Sequence, residues 1–128
     1  MAEKSVAEKL LIKEGYRVVV INQPQDYRVL LGRLPDGVAL ATKPDAPADL
    51  IQVFVTSRKD LEDRLPGLKK VLKPKGLLWV TYPKATSKVK ADISRDTIAA
   101  CALSIGLQAV AMVSIDETWS GLRLKVVG

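Results

Sequence analysis

The chain has 128 residues, the length of a single domain, and residues 1–128 are treated as one unit. Its 48% hydrophobic content excludes a disordered chain, and its single cysteine excludes an internal disulfide framework. Lys and Arg number 20 against 14 acids, so the formal charge of +6 favours an anionic partner. Histidine is absent, which removes the commonest general base and the commonest transition-metal ligand, and no metal site is expected.

Two segments bear on location. The chain begins MAEKSVAEKLL, which is too charged for a secretory signal, so we expect a cytoplasmic protein. Residues 97–115 carry no charge over a length close to that of a membrane span. Gly106 divides them into an Ala-rich and a Val-rich part, which predicts a helix followed by a buried strand and no membrane span.

The chain opens with a predicted helix and strand. Ser5 and Glu8 have the S-x-x-E spacing of a capping box, in which each side chain bonds the other residue's free backbone N–H. This helix is predicted to end at Gly15, where a left-handed residue costs least. The almost continuous apolar run at 16–21 then predicts a strand that is covered on both faces.

Between residues 22 and 55 the pattern predicts a turn, a short helix and two strands. Asp26 can cap a helix that runs through Leu34, and the strands lie at 38–41 and 50–55. The link between these strands has about eight residues, too few for a helical crossover. Strand 38–41 is therefore either an antiparallel edge strand or a strand reached by an extended link.

A longer helix and a strand are predicted next. Ser57 caps this helix, whose apolar residues fall on one face: Leu61, Leu65, Leu68, Val71 and Leu72. Pro66 is predicted to begin a second helical segment, because proline is costly inside a helix. Residues 73–76 end the helix, and residues 77–82 form the next strand.

The end of the chain predicts one more helix and a strand pair. Ser94 or Asp92 caps an Ala-rich helix, and strands at 107–115 and 122–127 follow. The linker between these strands is short, so they should pair antiparallel. Strand 122–127 fits either an edge or the interior of the sheet. At an edge it would invite pairing with a second copy, and we expect a homodimer.

Strands that alternate with helices are typical of an α/β domain. The pattern predicts a Rossmann-like, open and mostly parallel sheet that is flanked by helices and ends in an antiparallel strand pair. Two motifs, LKPKG at 72–76 and DLI at 49–51, resemble the helix-to-strand junction and the entry to the fourth strand of class I S-adenosylmethionine-dependent methyltransferases. The resemblance implies a methyltransferase-like fold.

A second resemblance covers nearly the whole chain. The motifs LPDG at 34–37, YPK at 82–84 and DETWSGL at 116–122 are similar to those of domain of unknown function 3052. That is a bacterial family of small proteins with no assigned activity. The resemblance implies a fold and no function.

The chain departs from the methyltransferases where they hold their cofactor. Those enzymes follow their first strand with a glycine-rich turn that aims backbone N–H groups at the cofactor, whereas NQPQ at 22–25 has no glycine. Pro24 has no N–H to offer. The enzymes usually end their second strand with an acid that binds the ribose hydroxyls, where this chain has Thr42 and Lys43. We therefore expect no S-adenosylmethionine site and no cofactor.

Ligands of open α/β sheets bind beyond the carboxyl ends of the strands. Four predicted turns lie at that edge, at 22–25, 56–58, 82–88 and 116–119. Three of them carry the candidate ligand-binding residues: Asn22, Tyr82, Lys84, Asp116, Glu117 and Trp119. The two acids can accept a proton or bind a cation, the indole can stack, and the lysine can bind a phosphate or carboxylate. For Asp116 and Trp119 we favour a structural interpretation, in which Asp116 holds the hairpin turn and Trp119 covers the end of the sheet. Lys84 then pairs with the acids.

The Lys-rich segment 69–90 is the argument for nucleic acid. Between Arg64 and Ala91 there are eight basic residues and no acid. A strand separates them into two clusters by roughly 20 Å, and cations in the first cluster also offset a helix dipole. No stacking motif accompanies them, so nucleic-acid binding is not expected. Cys101 is expected to be a small core residue.

Three functions remain, in order of preference. The first is a non-catalytic binding or interaction module on a degenerate methyltransferase-like fold, with a small anionic ligand or a protein partner at the carboxyl edge. The alternative is a small enzyme acting on an anionic metabolite, in which Lys84 binds charge and Asp116 or Glu117 is the base. Nucleic-acid binding through residues 69–90 is the third.

Overall fold

The computed structural model describes residues 5–25, 27–85 and 91–127. The elements in these ranges are α1 (Val6–Lys9), β1 (Arg17–Ile21), α2 (Tyr27–Leu31), β2 (Ala39–Ala41), β3 (Ala48–Phe54), α3 (Arg58–Val71), β4 (Leu72–Pro83), α4 (Arg95–Ser104), β5 (Leu107–Ser114) and β6 (Trp119–Val126). Asp26, the predicted cap of the second helix, and residues 86–90 of the Lys-rich segment lie outside the described residues. No helix in the described ranges is long and apolar enough to cross a membrane.

The strands form one six-stranded sheet in the order β2-β1-β3-β4-β6-β5. β1 pairs in parallel with β2 and β3, and β3 pairs in parallel with β4. β6 pairs antiparallel with both β4 and β5, so β5 runs in the same direction as β4. The predicted fold class, a mostly parallel Rossmann-like sheet that ends in an antiparallel strand pair, is confirmed.

The structure fixes two strand placements that the sequence left open. β2 is parallel to β1, with Ala39 opposite Arg17, so the antiparallel alternative is wrong. An extended link at residues 42–47 returns the chain to β3, and the Arg17 guanidinium holds it by an ion pair with Asp45 at 2.7 Å. The last strand, β6, lies inside the sheet, and the edge belongs to its neighbour β5.

The first helix is shorter than predicted. Its capping box is present: Ser5 Oγ accepts the Glu8 N–H at 3.2 Å, and Glu8 Oε1 accepts the Ser5 N–H at 3.1 Å. The helix closes at Leu10, whose carbonyl accepts the Trp79 Nε1–H at 3.0 Å, and the next residue is left-handed with φ 67°. The predicted end at Gly15 is wrong, because a long-range hydrogen bond uses the carbonyl that a longer helix would need.

The third helix is continuous. α3 includes Pro66 in its interior, so the prediction that Pro66 begins a second segment is wrong. Pro66 and Glu62 are both exposed, and the Glu62 carbonyl that lacks its usual donor therefore lies on the solvent side of the helix. The predicted cap at Ser57 is confirmed, with its side chain accepting the Asp60 N–H at 3.1 Å.

β4 begins earlier than predicted, at Leu72. Leu72 lies opposite Ala48 and Leu77 lies opposite Leu50, so the LKPKG segment forms an irregularity in the pairing with β3. A Cβ on Gly76 would lie 2.8 Å from the backbone oxygen of Lys73 and 2.8 Å from Leu72 Cδ1, which is closer than real Cβ contacts. Glycine is therefore needed here for space.

Side chains alternate across the sheet and build two cores. Along β3, Ile51 and Val53 face the core that is covered by α3 and α4. Leu50 and Phe54 face the core that is covered by α1 and α2. We call these the α3/α4 face and the α1/α2 face. The central strands are thus buried on both faces, as their apolar runs predict.

Candidate functional site at the carboxyl edge

The carboxyl ends of five strands lie at one end of the sheet, the carboxyl edge. These strands, β1 to β5, run in the same direction, and they end at Ile21, Ala41, Phe54, Pro83 and Ser114. The residues that follow β1, β4 and β5 therefore lie at this edge, and they include five of the sequence candidates: Asn22, Lys84, Asp116, Glu117 and Trp119.

Asp116 organises the turn between β5 and β6. Its Oδ1 accepts the backbone N–H groups of Thr118 and Trp119, each at 2.8 Å. The Trp119 carbonyl accepts the N–H groups of Ile115 and Asp116 at 3.0 and 3.3 Å. The Asp116 side chain is thus held in the turn, as in the structural interpretation, whereas Glu117 at the tip is exposed.

Lys84 ties the end of β4 to this hairpin. Its backbone N–H donates to the Thr118 carbonyl at 2.7 Å, and its Nζ donates to Ser114 Oγ at 2.6 Å. Within the described ranges it makes no ion pair with Asp116 or Glu117. The hydroxyl partner leaves the positive charge of Lys84 without a matching negative charge.

Aromatic rings pack beneath the edge on the α1/α2 face. The Trp119 ring meets Phe54 edge to face with ring centroids 5.1 Å apart, and Phe54 meets Tyr27 in the same way at 4.7 Å. Such perpendicular pairs place the positive edge of one ring against the negative face of the next. Trp119 therefore covers the end of the sheet, and its half-buried ring leaves part of its surface available.

A buried polar chain lies next to these rings, and the sequence analysis missed it. Tyr27 Oη donates to Gln52 Oε1 at 2.6 Å, and Gln52 Nε2 donates to Thr81 Oγ1 at 2.9 Å. Gln52 and Thr81 have no solvent exposure. Burial raises the pKa of the Tyr27 phenol well above its ordinary value, although the hydrogen bond to Gln52 works in the opposite direction. The signal in the sequence is a glutamine within an otherwise apolar strand, LIQVFV.

Tyr82 does not join the other candidates. It belongs to the core on the α3/α4 face, and its hydroxyl donates to Met112 Sδ at 3.3 Å. Burial is the main reason that the pKa of Tyr82 is raised. The sheet therefore separates the Tyr82 side chain from Trp119 and Tyr27, which lie on the opposite face.

The turn after β1 and the end of β2 enclose a small cavity. Asn22 takes the left-handed conformation, with φ 61°, and the Pro24 carbonyl accepts the Tyr27 N–H at 3.2 Å. The cavity between α2 and β2 measures about 100 Å³. The described residues that line it include no acid: Val20, Gln23, Tyr27, Arg28, Leu31, Leu40, Ala41 and Thr42.

Lysines of the segment 69–90 make contacts within the chain. Lys69 Nζ donates to the Ile105 carbonyl at 2.6 Å, and Lys73 Nζ lies 3.3 Å from Asp49. Lys88 and Lys90 lie outside the described residues. Lys69 and Lys73 therefore connect elements of the fold.

Two further features bear on chemistry. In the part of the chain that the structure describes, no group of three or more Asp, Glu or Cys side chains is arranged to hold a metal ion. Cys101 lines an open groove of about 550 Å³ between α3 and α4, and burial is the main cause of the raised pKa of its thiol. A raised pKa lowers the thiolate fraction, so Cys101 is a weak nucleophile at neutral pH.

Comparison with known proteins identifies the fold. The family model described as "Protein of unknown function (DUF3052)" matches residues 42–127. No curated protein sequence matches the chain. An S-adenosylmethionine-dependent methyltransferase from Aquifex aeolicus is similar at 17% identity and a TM-score of 0.65, over 94% of this chain and 89% of that chain.

Two other solved structures are similar in the same way. The DhpI–SAH complex has 13% identity and a TM-score of 0.64, over 95% of this chain and 83% of that chain. Ribosomal protein L11 methylase from Lactobacillus delbrueckii subsp. bulgaricus has 15% identity and a TM-score of 0.59, over 96% of this chain and 76% of that chain. At these identities the likeness shows the fold alone, and the predicted methyltransferase-like fold is confirmed.

Proposed function

We propose that this chain, which belongs to the DUF3052 family of proteins of unknown function, is a non-catalytic binding module. Its fold is methyltransferase-like, but the turn that would hold the cofactor is altered, and we therefore infer that it does not use S-adenosylmethionine. The observation that carries the proposal is the space between α2 and β2, which is small and has no acid among the described residues that line it. In methyltransferases of this fold the corresponding strand ends carry the glycine-rich turn and the ribose-binding acid.

The turn after β1 offers little to a cofactor. Asn22 keeps the left-handed backbone that favours glycine, but Pro24 has no N–H and its carbonyl is engaged by Tyr27. α2 has only five residues, so its N-terminus adds little dipole. At the end of β2, Thr42 and Lys43 stand where an acid would bind ribose hydroxyls, and a lysine cannot accept their hydrogen bonds.

Size also opposes a nucleoside-sized cofactor. The cavity of about 100 Å³ is several times smaller than pockets for drug-sized ligands, which measure roughly 300–1,000 Å³. Enlarging it requires α2 to move away from β2. Tyr27 resists that movement, because its buried hydroxyl is bonded to Gln52 and its ring packs on Phe54.

Polar groups around the β5–β6 hairpin support a binding role. Lys84 carries a charge that no described acid neutralises, and Glu117 is exposed at the hairpin that holds the half-buried Trp119. Asn22 is exposed at the end of β1, three strand positions from β6. These groups suit a small anionic ligand or a protein partner. The enzyme alternative would use Asp116 or Glu117 as base. Asp116 is engaged by two backbone N–H groups, and Glu117 lies exposed at the tip of the turn.

A thermal denaturation series tests the proposal. S-adenosylmethionine and S-adenosylhomocysteine are each added in large excess, and a characterised methyltransferase of the same fold serves as the positive control. A ligand at a hundred times its dissociation constant adds roughly 2.7 kcal/mol, a shift of several degrees at this size. We expect no shift for this chain. A shift like that of the control enzyme would overturn the proposal.

The same assay tests the anionic ligand. Inorganic phosphate and citrate are titrated against the natural chain and against Lys84→Ala. A stabilisation that disappears in Lys84→Ala supports a ligand at the carboxyl edge. A turnover of any substrate that Asp116→Asn or Lys84→Ala abolishes would favour the enzyme alternative.

A further inference from the structure

β5 is an edge strand without the usual protection. Its sequence, LQAVAMVS, contains no charged residue and no proline, which are the devices that most often keep sheet edges from pairing. The described residues place β6 on one side of β5 and no strand on the other. The pairing of β5 with β6 has an irregularity between Ala109 and Ala111, which is a protective feature. This edge is on the opposite side of the sheet from the cavity between α2 and β2.

Hydrogen bonds at the two ends of β5 show which backbone groups face outward. The Ile115 N–H donates to the Trp119 carbonyl at 3.0 Å, and the Val127 N–H donates to the Gly106 carbonyl at 2.9 Å. Bonded and non-bonded pairs alternate in an antiparallel ladder. Counting from the two ends, the residues whose N–H and C=O groups point away from β6 are Leu107, Ala109, Met112 and Ser114. The Ser114 carbonyl already accepts Lys9 Nζ at 3.0 Å, so Leu107, Ala109 and Met112 are left to pair with an added strand.

Beside this edge the α1/α2 face is basic. A concavity of about 460 Å³ is lined by three cations together with glycine and aliphatic residues: Lys75, Gly76, Leu77, Val110, Arg123, Leu124, Lys125 and Val126. No ion pair or side-chain hydrogen bond of Lys75, Arg123 or Lys125 occurs within the described ranges. The described residues that line this concavity include no acid, and we call it the basic concavity.

The cations of β6 can reach the edge. Arg123 lies opposite Trp79 on β4 and opposite Ala111 on β5, so it projects on the α1/α2 face next to a small side chain. A strand added to β5 would lie two strand spacings from β6, roughly 10 Å. An arginine or lysine side chain that leans across Ala111 spans most of that distance. Carboxylates on the near face of an added strand would therefore meet Arg123 and Lys125.

The other face of the edge is apolar. Met112 lies opposite Leu122 and contacts Tyr82, which places it on the α3/α4 face, and it is 52% exposed. An added strand presents alternate side chains to the two faces. The best match is thus a segment in which acidic residues face Arg123 and apolar residues face Met112.

A second copy of the chain fits this edge less well. Two β5 strands paired about a two-fold axis would place the two β6 strands roughly 14 Å apart, with Arg123 and Lys125 of both copies leaning toward each other. Like charges at an interface oppose association. An acidic segment instead neutralises these cations, and charge complementarity therefore selects it.

We propose that the β5 edge binds an extended segment of a partner protein in which acidic and apolar residues alternate. The segment adds a seventh strand to the sheet. Backbone groups of Leu107, Ala109 and Met112 supply the pairing, the basic concavity supplies the charge preference, and Met112 supplies the apolar contact. This is strand addition, a mode in which main-chain hydrogen bonds give affinity and alternate side chains give specificity.

Peptide titration of the full chain tests the proposal. The probe is a fluorescent eight-residue peptide of alternating glutamate and valine, and a peptide of the same composition with the glutamates grouped together is the control. Two further isomers carry N-methyl groups either on every glutamate or on every valine. Only one set of N–H groups faces β5 in a paired strand, so one isomer should bind like the parent and the other at least about tenfold more weakly.

A matched pair of variants separates this site from general attraction to a basic protein. Arg123→Glu with Lys125→Glu should weaken the alternating peptide about tenfold or more. Arg33→Glu with Lys59→Glu changes the net charge equally at exposed positions outside the basic concavity, and should weaken it less than about threefold. Circular dichroism is used to check that both double variants keep the secondary structure of the unsubstituted protein.

Several results would overturn the proposal. They are no binding of the alternating peptide at millimolar concentration, equal binding of the two N-methylated isomers, and equal losses in the two double variants. A stable dimer whose Leu107, Ala109 and Met112 amides are protected from hydrogen exchange would also overturn it, because the edge would then belong to a second copy. None of these results depends on the S-adenosylmethionine titration.

Discussion

The buried chain Tyr27–Gln52–Thr81 makes a quantitative prediction about stability. Gln52 is fully buried between two hydroxyl groups, at 2.6 Å from Tyr27 and 2.9 Å from Thr81. Tyr27→Phe removes one hydroxyl and leaves the Gln52 carbonyl oxygen buried without that partner. The cost of such an orphaned acceptor is about 1–3 kcal/mol.

A larger loss of stability is expected at Gln52, the middle residue of the three hydrogen-bonded side chains. Gln52→Leu removes both hydrogen bonds and leaves the Tyr27 and Thr81 hydroxyls unpaired, so we expect it to cost about twice as much as Tyr27→Phe. The triple variant Tyr27→Phe/Gln52→Leu/Thr81→Val removes all three polar groups and leaves none unpaired. It should therefore be more stable than Gln52→Leu alone, because replacing both partners by apolar groups of similar shape is nearly neutral.

Urea denaturation followed by circular dichroism measures these differences. The free energies of unfolding are obtained by linear extrapolation, with the slope m checked for constancy across the series. A triple variant that is less stable than Gln52→Leu would refute the reasoning. So would a loss below about 0.5 kcal/mol for Tyr27→Phe, since the hydroxyl would then have contributed no more than an exposed one.

Three further predictions use the same denaturation assay. Asp116→Ala should cost about 1–2 kcal/mol of stability because two N–H groups of the turn lose their acceptor. Glu117→Ala at the exposed tip of the turn should change the stability little. Equal effects of the two variants would contradict this role of Asp116. Gly76→Ala should destabilise the fold because its Cβ would lie 2.8 Å from the backbone oxygen of Lys73. Gly67→Ala in α3 meets no atom within 4 Å and should stabilise by up to about 1 kcal/mol. A harmless Gly76→Ala would contradict the packing argument. The free energy of unfolding should fall as the pH rises above 10, the ordinary pKa of tyrosine, because the unfolded state releases the Tyr27 proton while the folded state keeps it. Tyr27→Phe should show a shallower decline. An unchanged decline would contradict the assignment of this pH dependence to Tyr27.

Apolar patterning predicts most of this fold because burial on both faces leaves a direct trace in the sequence. Runs such as LIQVFV and LLWVTY become β3 and β4, and alternation in the last strand places Arg123 on one face and Leu122 on the other. The role of Asp116 in the turn can also be predicted from the sequence, since Asp favours turns in which its side chain accepts hydrogen bonds from the following N–H groups.

Features that depend on contacts between distant residues could not be predicted from the sequence in this way. The end of α1 depends on a hydrogen bond from Trp79 to the Leu10 carbonyl, across 69 residues of sequence. The continuity of α3 depends on Pro66 lying at an exposed position. Gln52 is an ordinary polar residue in sequence and becomes significant only when folding places Tyr27 and Thr81 beside it. The strand order, which makes β5 and not β6 the edge, likewise depends on tertiary pairing.

A titration with S-adenosylhomocysteine observed by ¹H–¹⁵N NMR tests the central claim most directly. The amides of Val20, Gln23 and Thr42 report on the cavity between α2 and β2, and the amides of Lys84 and Trp119 report on the hairpin side of the carboxyl edge. We expect none of these signals to move at millimolar ligand. Saturable shifts of Val20, Gln23 and Thr42 would show that the glycine-free turn still holds the cofactor, and would contradict the binding-module account.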